Sequence, residues 1–482
     1  MLGAIASLGQ APYEQPIAML LAFSLAFVML RVEMRAGGAA LTGWALGLGY
    51  FGVALFWIVE PFQIDPDQHA WMAPFALFFM SAGLALFWGG AFWVARWLTS
   101  GTWPLILSWT AAEVARAYVF TGFPWASPAQ ALVAGSAGQG LAIVGPHGLM
   151  FCLMLTAWCL SLSTIPGIKH GVRSGQALLL FGAIVLIYMP PPLPGSPLTG
   201  HWVRLIQPNA AQHLKWQPEF AQAFYDKQLQ FTAAPPASDR PPPSLTVWPE
   251  TAIPWRLETA APALVQIANA AGGKSVALGL LRQEDDALFN ALAVLDATGN
   301  ASQVYDKHHL VPFGEYIPFG SLLNQFGLTG LAQNSAIGFA SGEGPELLDF
   351  GVLGRGLPLI CYEVVFAHGV NGLSERPAFL LQITNDAWFG QNVGPQQHLA
   401  QARMRAIEQG LPLMRAANTG ISAMIDPKGR ILASLPMDTA GYVDAPLPMA
   451  SSATVYSRLG DGPIVILLAF GLFGARWTRG RH

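Results

Sequence analysis

LPLICYEVVF, residues 357–366, is a short apolar run that stops at a cysteine and resumes after a tyrosine and a glutamate. Leu357–Cys361 reads as a β-strand. Val203–Gln207, Leu245–Trp248, Ser275–Leu280, Leu288–Leu295 and Phe379–Thr384 have the same character, bounded by Pro, Gly or Asn. Helical patterns at Glu219–Ala233, Pro262–Ala271 and Gln396–Glu408 alternate with these runs. Such alternation implies an α/β layered domain.

That domain is only part of the chain. Of the 482 residues, 53% are hydrophobic and 11% charged, with a mean hydropathy of +0.41. An average soluble domain carries about 25% charged residues. A water-soluble globule of this composition would expose too much apolar surface to stay dispersed. The charge is also uneven, since residues 201–460 hold 16 of the 25 Lys and Arg and 21 of the 28 Asp and Glu. Two solvents are implied: water for 201–460, lipid for 1–190 and for the segment opening 461–482. A net charge of −3 without a long basic run argues against nucleic acid as a partner. Three cysteines do not make a disulfide framework.

Apolar stretches at 17–33, 39–59, 71–98, 103–120, 141–165, 176–190 and 461–477, with a shorter one at 1–11, predict an α-helical transmembrane bundle of about eight helices. Arg31, Arg35, Arg96, Lys169, Arg173, Arg476, Arg479 and Arg481 then share one side, and Glu14, Glu60, Asp65 and Asp67 the other. The basic side is cytoplasmic by the positive-inside rule. The domain at 201–460 is therefore expected on the opposite face.

Reactive groups mark the strand ends of this domain. Trp248-Pro249-Glu250 presents a carboxylate, Tyr305-Asp306-Lys307 an amine, and Leu359-Ile360-Cys361 the only thiol of the block. Singly, each has an ordinary explanation: core packing for the cysteine, a solvated cap for the charged groups. Together they form a covalent-catalysis set, in which the lysine keeps the thiolate ionised and the carboxylate moves protons.

WPETAIPW (248–255), YDKHHLVPFGEYIPFG (305–320) and ICYEVVF (360–366) resemble, in that order, the Glu, Lys and Cys motifs of the nitrilase superfamily. The run TNDAWFGQNVGPQQHLAQARMRAIEQGLPLMRAANTG (384–420), with TGFPW (121–125), QPNAAQHLKW (207–216) and the flanking apolar spans, is similar to that superfamily's membrane-embedded branch, the apolipoprotein N-acyltransferases. The resemblance implies a nitrilase-like αββα sandwich, with Cys361 as nucleophile, Glu250 as general base and Lys307 as third member. It also implies supporting roles for Glu315 and Glu363. Lys307 and the backbone N–H of Tyr362 are the natural donors to an oxyanion. Asn290 either orients a catalytic side chain or caps a turn.

Other residues carry paired readings. Trp216 is an acyl-entry gate or an ordinary buried tryptophan. Tyr316–Gly342, without a charged residue, is a buried helix pair or a lid dipping into lipid, with Phe319, Leu323 and Phe326 as acyl contacts. His308 and His309 read as bystanders, because neighbours on a strand point to opposite faces. Glu113 and Arg116 share a helix face and are expected to pair with each other.

These expectations describe a membrane N-acyltransferase of the bacterial inner membrane, a monomer whose catalytic domain faces the periplasm. An acyl chain would pass from a phospholipid to Cys361, then to the N-terminal amine of an S-diacylglyceryl-cysteine apolipoprotein. No metal or organic cofactor is implied. The alternative is a membrane-tethered carbon–nitrogen hydrolase (amidase) using the same triad.

Overall fold

The computed structural model describes residues 1–165, 170–191, 194–237, 240–317, 338–371 and 373–479. The chain forms two compact units, one of residues 1–194, 392–409 and 453–482, the other of 195–391 and 410–452.

The first unit is helical. Its apolar stretches become helices Leu2–Ser7, Pro16–Val32, Ala36–Ala54, Ala73–Leu98, Pro104–Tyr118, Leu141–Ser161, His170–Tyr188 and Gly462–Arg479. Close packing depends on small residues at crossings: a Cβ on Gly43 would sit 2.6 Å from the Trp88 carbonyl oxygen. Phe23, Tyr50, Trp88 and Trp109 form a buried aromatic cluster, with Trp88 and Trp109 centroids 4.8 Å apart and nearly edge to face. The indole of Trp88 donates to Glu113 at 2.8 Å, and Glu113 pairs with Arg116 at 2.5 Å. Arg116 also donates to the carbonyls of Phe123 and Trp125. The two buried charges thus satisfy each other, as expected.

Among the described residues, Pro66–Leu98 and Ser136–Thr164 are long and apolar enough to cross a membrane. Ala36–Ala54 with Phe56–Gln63, bent by 46°, makes a third candidate. Pro16–Val32, Ser174–Tyr188 and Gly462–Trp477 are apolar but shorter. An apolar helical region is established by these lengths; a count of eight spans is not.

The helix read at Gln396–Glu408 runs Gly394–Gln409 and packs in this first unit, not with the strands. Gln397 accepts from the Trp125 indole at 2.7 Å, and His398 stacks on that ring with centroids 5.3 Å apart. Its polar face is buried against helices rather than wetted.

The second unit is a sandwich of two six-stranded sheets. The first sheet holds β1 (Leu198–Gln207), β2 (Leu245–Val247), β3 (Ser275–Glu284), β4 (Ala287–Leu295), β5 (Ala301–Asp306) and β12 (Gly441–Pro448), in the order β12-β1-β2-β3-β4-β5. The second holds β6 (Leu348–Asp349), β7 (Arg355–Ile360), β8 (Phe379–Thr384), β9 (Leu413–Ala417), β10 (Ser422–Ile425) and β11 (Ile431–Leu435), in the order β11-β10-β9-β8-β7-β6. Each has a parallel centre, β1-β2-β3 and β7-β8-β9, extended by antiparallel neighbours. The central strands β8 and β9 are buried throughout and largely apolar, with Gln382, Thr384 and Arg415 as the polar exceptions. Helices Pro218–Ala233 and Ala261–Ala270 cover the first sheet, adding Tyr225, Leu264 and Ile267 to a core with Trp248, Val276 and Leu278. Strands β1 and β4 lie against the second sheet at β9, β10 and β7. The strand and helix alternation predicts the α/β layering, and the resemblance to the nitrilase superfamily the sandwich.

Candidate active site

Ligand sites of α/β sheets gather at strand ends, and the reactive groups of this chain stand there: Glu250 and Cys361 past the parallel strands β2 and β7, Lys307 past the antiparallel edge strand β5. Just past β2, the main chain keeps pairing with β3 through Trp248 N–H to the Ala277 carbonyl (2.8 Å) and Ala252 N–H to the Gly279 carbonyl (2.7 Å). Glu250 lies between these bonds and is buried. Gly279 is required beside it, because a Cβ there would stand 2.6 Å from Glu250 Cα. The next residue, Thr251, is held at φ 45°, a left-handed conformation costly for a β-branched side chain.

Both carboxylate oxygens of Glu250 are engaged. Oε1 accepts from the Asn290 side-chain amide at 2.7 Å, and Oε2 from the Asn385 backbone N–H at 2.8 Å. The Lys307 ammonium stands 3.8 Å from Oε1. Lys307 follows β5, is 1% exposed, and donates to Glu315 Oε1 at 2.8 Å. Glu315 accepts from Asn290 (3.2 Å) and, through Oε2, from the Val311 N–H (2.8 Å). Asn290 therefore orients the two carboxylates, and the turn-capping reading does not apply. Glu315 holds Lys307, as expected.

Cys361 directly follows β7 and is buried at φ 52°, in the left-handed region. Its thiol bonds with the Thr384 hydroxyl, and its carbonyl accepts from Gln382 at 3.3 Å. Glu363 ties this turn to the chain past Lys307. Its Oε2 accepts from the Ile360 N–H (2.7 Å), and its Oε1 from Tyr305 OH (2.9 Å), His308 N–H (2.9 Å) and His309 N–H (3.2 Å). The His308 ring is also within 2.7 Å of Oε1. The reading of His308 as a bystander is corrected here. Strand β5 ends at Asp306, so strand alternation does not reach the histidines. His309 stacks on Phe366, centroids 3.7 Å apart, and Tyr362 packs beside both.

Electrostatics assigns protons. Burial, and then Glu315, raise the Glu250 pKa, while Lys307 and Asn290 oppose the rise. Burial works against the Lys307 ammonium, but the Glu315 and Glu250 carboxylates outweigh it, and Lys307 is held charged. The Cys361 thiol is pushed well up by burial and by Glu250, against the pull of Lys307 and Thr384. Lys307 thus pulls in the expected direction without prevailing. Burial and Glu250 thus oppose the ionised thiol that the sequence reading attributes to Lys307. Glu363 is depressed despite its burial, because His308 and the Ile360 N–H stabilise its charge.

Trp216 is 44% exposed and stands at a cleft lined also by Lys215, Phe224, Gln228, Pro249 and Asn418. Phe319, Leu323 and Phe326 lie outside the described residues. Sequence reading missed Asn385, Thr384 and Lys215. The first two sit where β8 ends, the same signal that marked Cys361 at β7.

Residues 200–456 match the carbon-nitrogen hydrolase family, and residues 2–159 match the apolipoprotein N-acyltransferase N-terminal domain. The chain is 36% identical to an apolipoprotein N-acyltransferase of Brucella melitensis, over 92% of this chain and 88% of the relative. It is 35% identical to one of Rhodopseudomonas palustris, over 97% of this chain and 92% of that one. Among solved structures, an amidase from Nesterenkonia sp. aligns with 20% identity over 53% of this chain and 92% of its own, with a TM-score of 0.38.

Proposed function

This chain belongs to the apolipoprotein N-acyltransferases, and from that premise we propose how its residues perform the transfer. The enzyme acylates the N-terminus of lipoproteins, with lipid and lipoprotein as substrates. In our reading Cys361 is the nucleophile, Glu250 the base and Lys307 the electrostatic partner.

The donor is a membrane phospholipid. Because burial opposes ionisation of the Cys361 thiol, Glu250 takes its proton as sulfur attacks the ester carbonyl. The Lys307 ammonium and the Tyr362 N–H stabilise the oxyanion. Lys307 does so without losing its own proton, because Glu315 holds it charged. The carbon–oxygen bond breaks, the lysophospholipid oxygen receives the proton from Glu250, and a thioester remains on Cys361. The α-amine of an S-diacylglyceryl cysteine then attacks the thioester. Glu250 takes the amine proton, the carbon–sulfur bond breaks, and the proton returns to sulfur. Burial of all three side chains supports this sequence, since water would otherwise compete with the amine.

The observation that carries the reading is the position of Glu250. It is buried, 3.8 Å from the Lys307 ammonium, and electrostatically coupled to Cys361. Incubating the purified chain with phospholipid and a synthetic diacylated lipopeptide tests it. Triacylated peptide and lysophospholipid should form in equal amounts, and free fatty acid in their place would contradict it. The amidase alternative is not favoured by the named relatives.

The arrangement we propose has residues 1–190 and 461–482 in the bacterial inner membrane and 201–460 at the periplasmic face. The eight-pass count belongs to this proposal, supported by the one-sided distribution of Lys and Arg between apolar stretches; a monomeric state is proposed with it.

A further inference from the structure

The turn that presents Glu250 is held on one side by Gly279 and on the other by a buried ammonium. Lys215 lies in the turn before helix Pro218–Ala233, 5% exposed. Its Nζ donates to the Glu250 carbonyl oxygen at 3.2 Å and to the Thr251 hydroxyl at 3.0 Å, and lies 4.9 Å from the centre of the Trp216 ring. These partners are a carbonyl, a hydroxyl and an indole face, and none is a carboxylate. A buried lysine without a paired acid is costly, and burial lowers this one to about 8, with only Glu250 pulling it back. At neutral pH it is still largely charged. The oxygens it binds belong to Glu250 and to the strained Thr251 itself, so releasing them frees the segment carrying the base. The charges acting on Glu250 are Lys307, Glu315 and Lys215; Asn290 and Asn385 are neutral donors.

We propose that Lys215 is a positioning residue for the base: its ammonium clamps the Glu250 carbonyl and the Thr251 hydroxyl, aiming the Glu250 carboxylate at Cys361 and keeping it ionised. This rests on the reading of Glu250 as the base. The clamp acts through the main chain, and the charge acts through space on the carboxylate. Loss of Lys215 therefore has two separable effects, a misaimed base and a base that protonates at higher pH.

The test is the rate of Cys361 acylation by phospholipid, followed by intact-protein mass across a pH series on the full chain in micelles. Melting temperature serves as the fold check. Lys215→Met is expected to slow acylation about 100-fold at neutral pH, the scale of an ångström-level misplacement. Its acid limb should move to higher pH, because the Lys215 charge is one of those that lower the Glu250 pKa. Lys215→Gln keeps donors without charge, so it regains part of the rate and leaves the limb displaced. Lys215→Arg keeps both and returns the limb to its original place. An acid limb unmoved in both neutral variants, or rates within about twofold of the parent, overturns the proposal. Should the methionine variant not fold, the glutamine variant carries the same readout. Glu250→Gln is the reference and is expected to lack the acid limb. If it keeps the limb, the base assignment fails and the Lys215 role falls with it. If it lacks the limb while the Lys215 variants match the parent, only the Lys215 role falls.

Discussion

The backbone N–H of Asn385 donates to Oε2 of Glu250 at 2.8 Å, joining the end of β8 in one sheet to the end of β2 in the other. The proposed base is thus held from the sheet in which β7 ends at Cys361, the proposed nucleophile.

Replacing Glu250 by Gln removes the proton acceptor and keeps the shape. Both half-reactions should slow by about 100- to 10,000-fold, the usual contribution of a general base. Pre-formed acyl-enzyme mixed with lipopeptide reports the second step separately. In the parent, the rate should fall with acid at a pH above the ordinary carboxylate range, because the folded pKa of Glu250 is raised and only its ionised form accepts a proton. A limb at or below that range would mean another group sets it.

Asn290→Ala withdraws one amide nitrogen from two carboxylates. Glu250 and Glu315 are left closer to direct repulsion, so Glu250 should protonate at a still higher pH and the acid limb should follow. The expected stability cost is about 1–3 kcal/mol, that of leaving buried acceptors without their donor. Thermal melts and the pH–rate profile read these two effects independently.

Gly279→Ala is a steric probe of the turn that carries Glu250, with no change to a reacting group. Its Cβ would stand 2.6 Å from both Glu250 Cα and the Pro249 carbonyl oxygen. Overpacking of this kind costs about 1–3 kcal/mol. Activity should fall further than stability, since the displaced atoms carry the base. Equal losses of folded fraction and rate would show that the turn relaxes without moving the carboxylate.

Glu363→Gln tests the tie between the nucleophile turn and the Lys307 segment. The amide nitrogen meets donors where the carboxylate had met them, leaving at least one unsatisfied. A loss of about 3 kcal/mol is expected, as for breaking a buried charged network. Tyr305→Phe removes a hydroxyl that bonds Glu363 at 2.9 Å and the His308 ring at 2.7 Å but leaves the carboxylate and its other donors in place, and should cost less. The ordering of the two melts is the check.

Much of this site was legible because strand ends announce themselves. Leu245–Trp248, Leu357–Cys361 and Phe379–Thr384 are apolar runs that stop at polar groups, and the structure has strands there. Asn385 was not legible, because its contribution is a backbone N–H that any residue could supply. Lys215 was hidden for a related reason: it reaches a carbonyl rather than an acid, so no complementary charge betrays it. His308 was misread because β5 ends at Asp306 and its alternation stops there. Gln396–Glu408 was recognised as a helix, but its setting was not. The indole that binds Gln397 is 272 residues away in sequence, and a polar helix face gives no hint that it is buried. The opposition to an ionised thiol also escaped, since spacing names the neighbouring charges but not the depth of burial.

The most direct test of the central claim is the mass of the intact protein after incubation with phospholipid alone, with the modified peptide mapped. A single acyl addition on the peptide containing Cys361 is predicted, lost when a diacylated lipopeptide is added and absent from Cys361→Ala. An adduct that persists in Cys361→Ala, or near-normal turnover by that variant, would contradict the account.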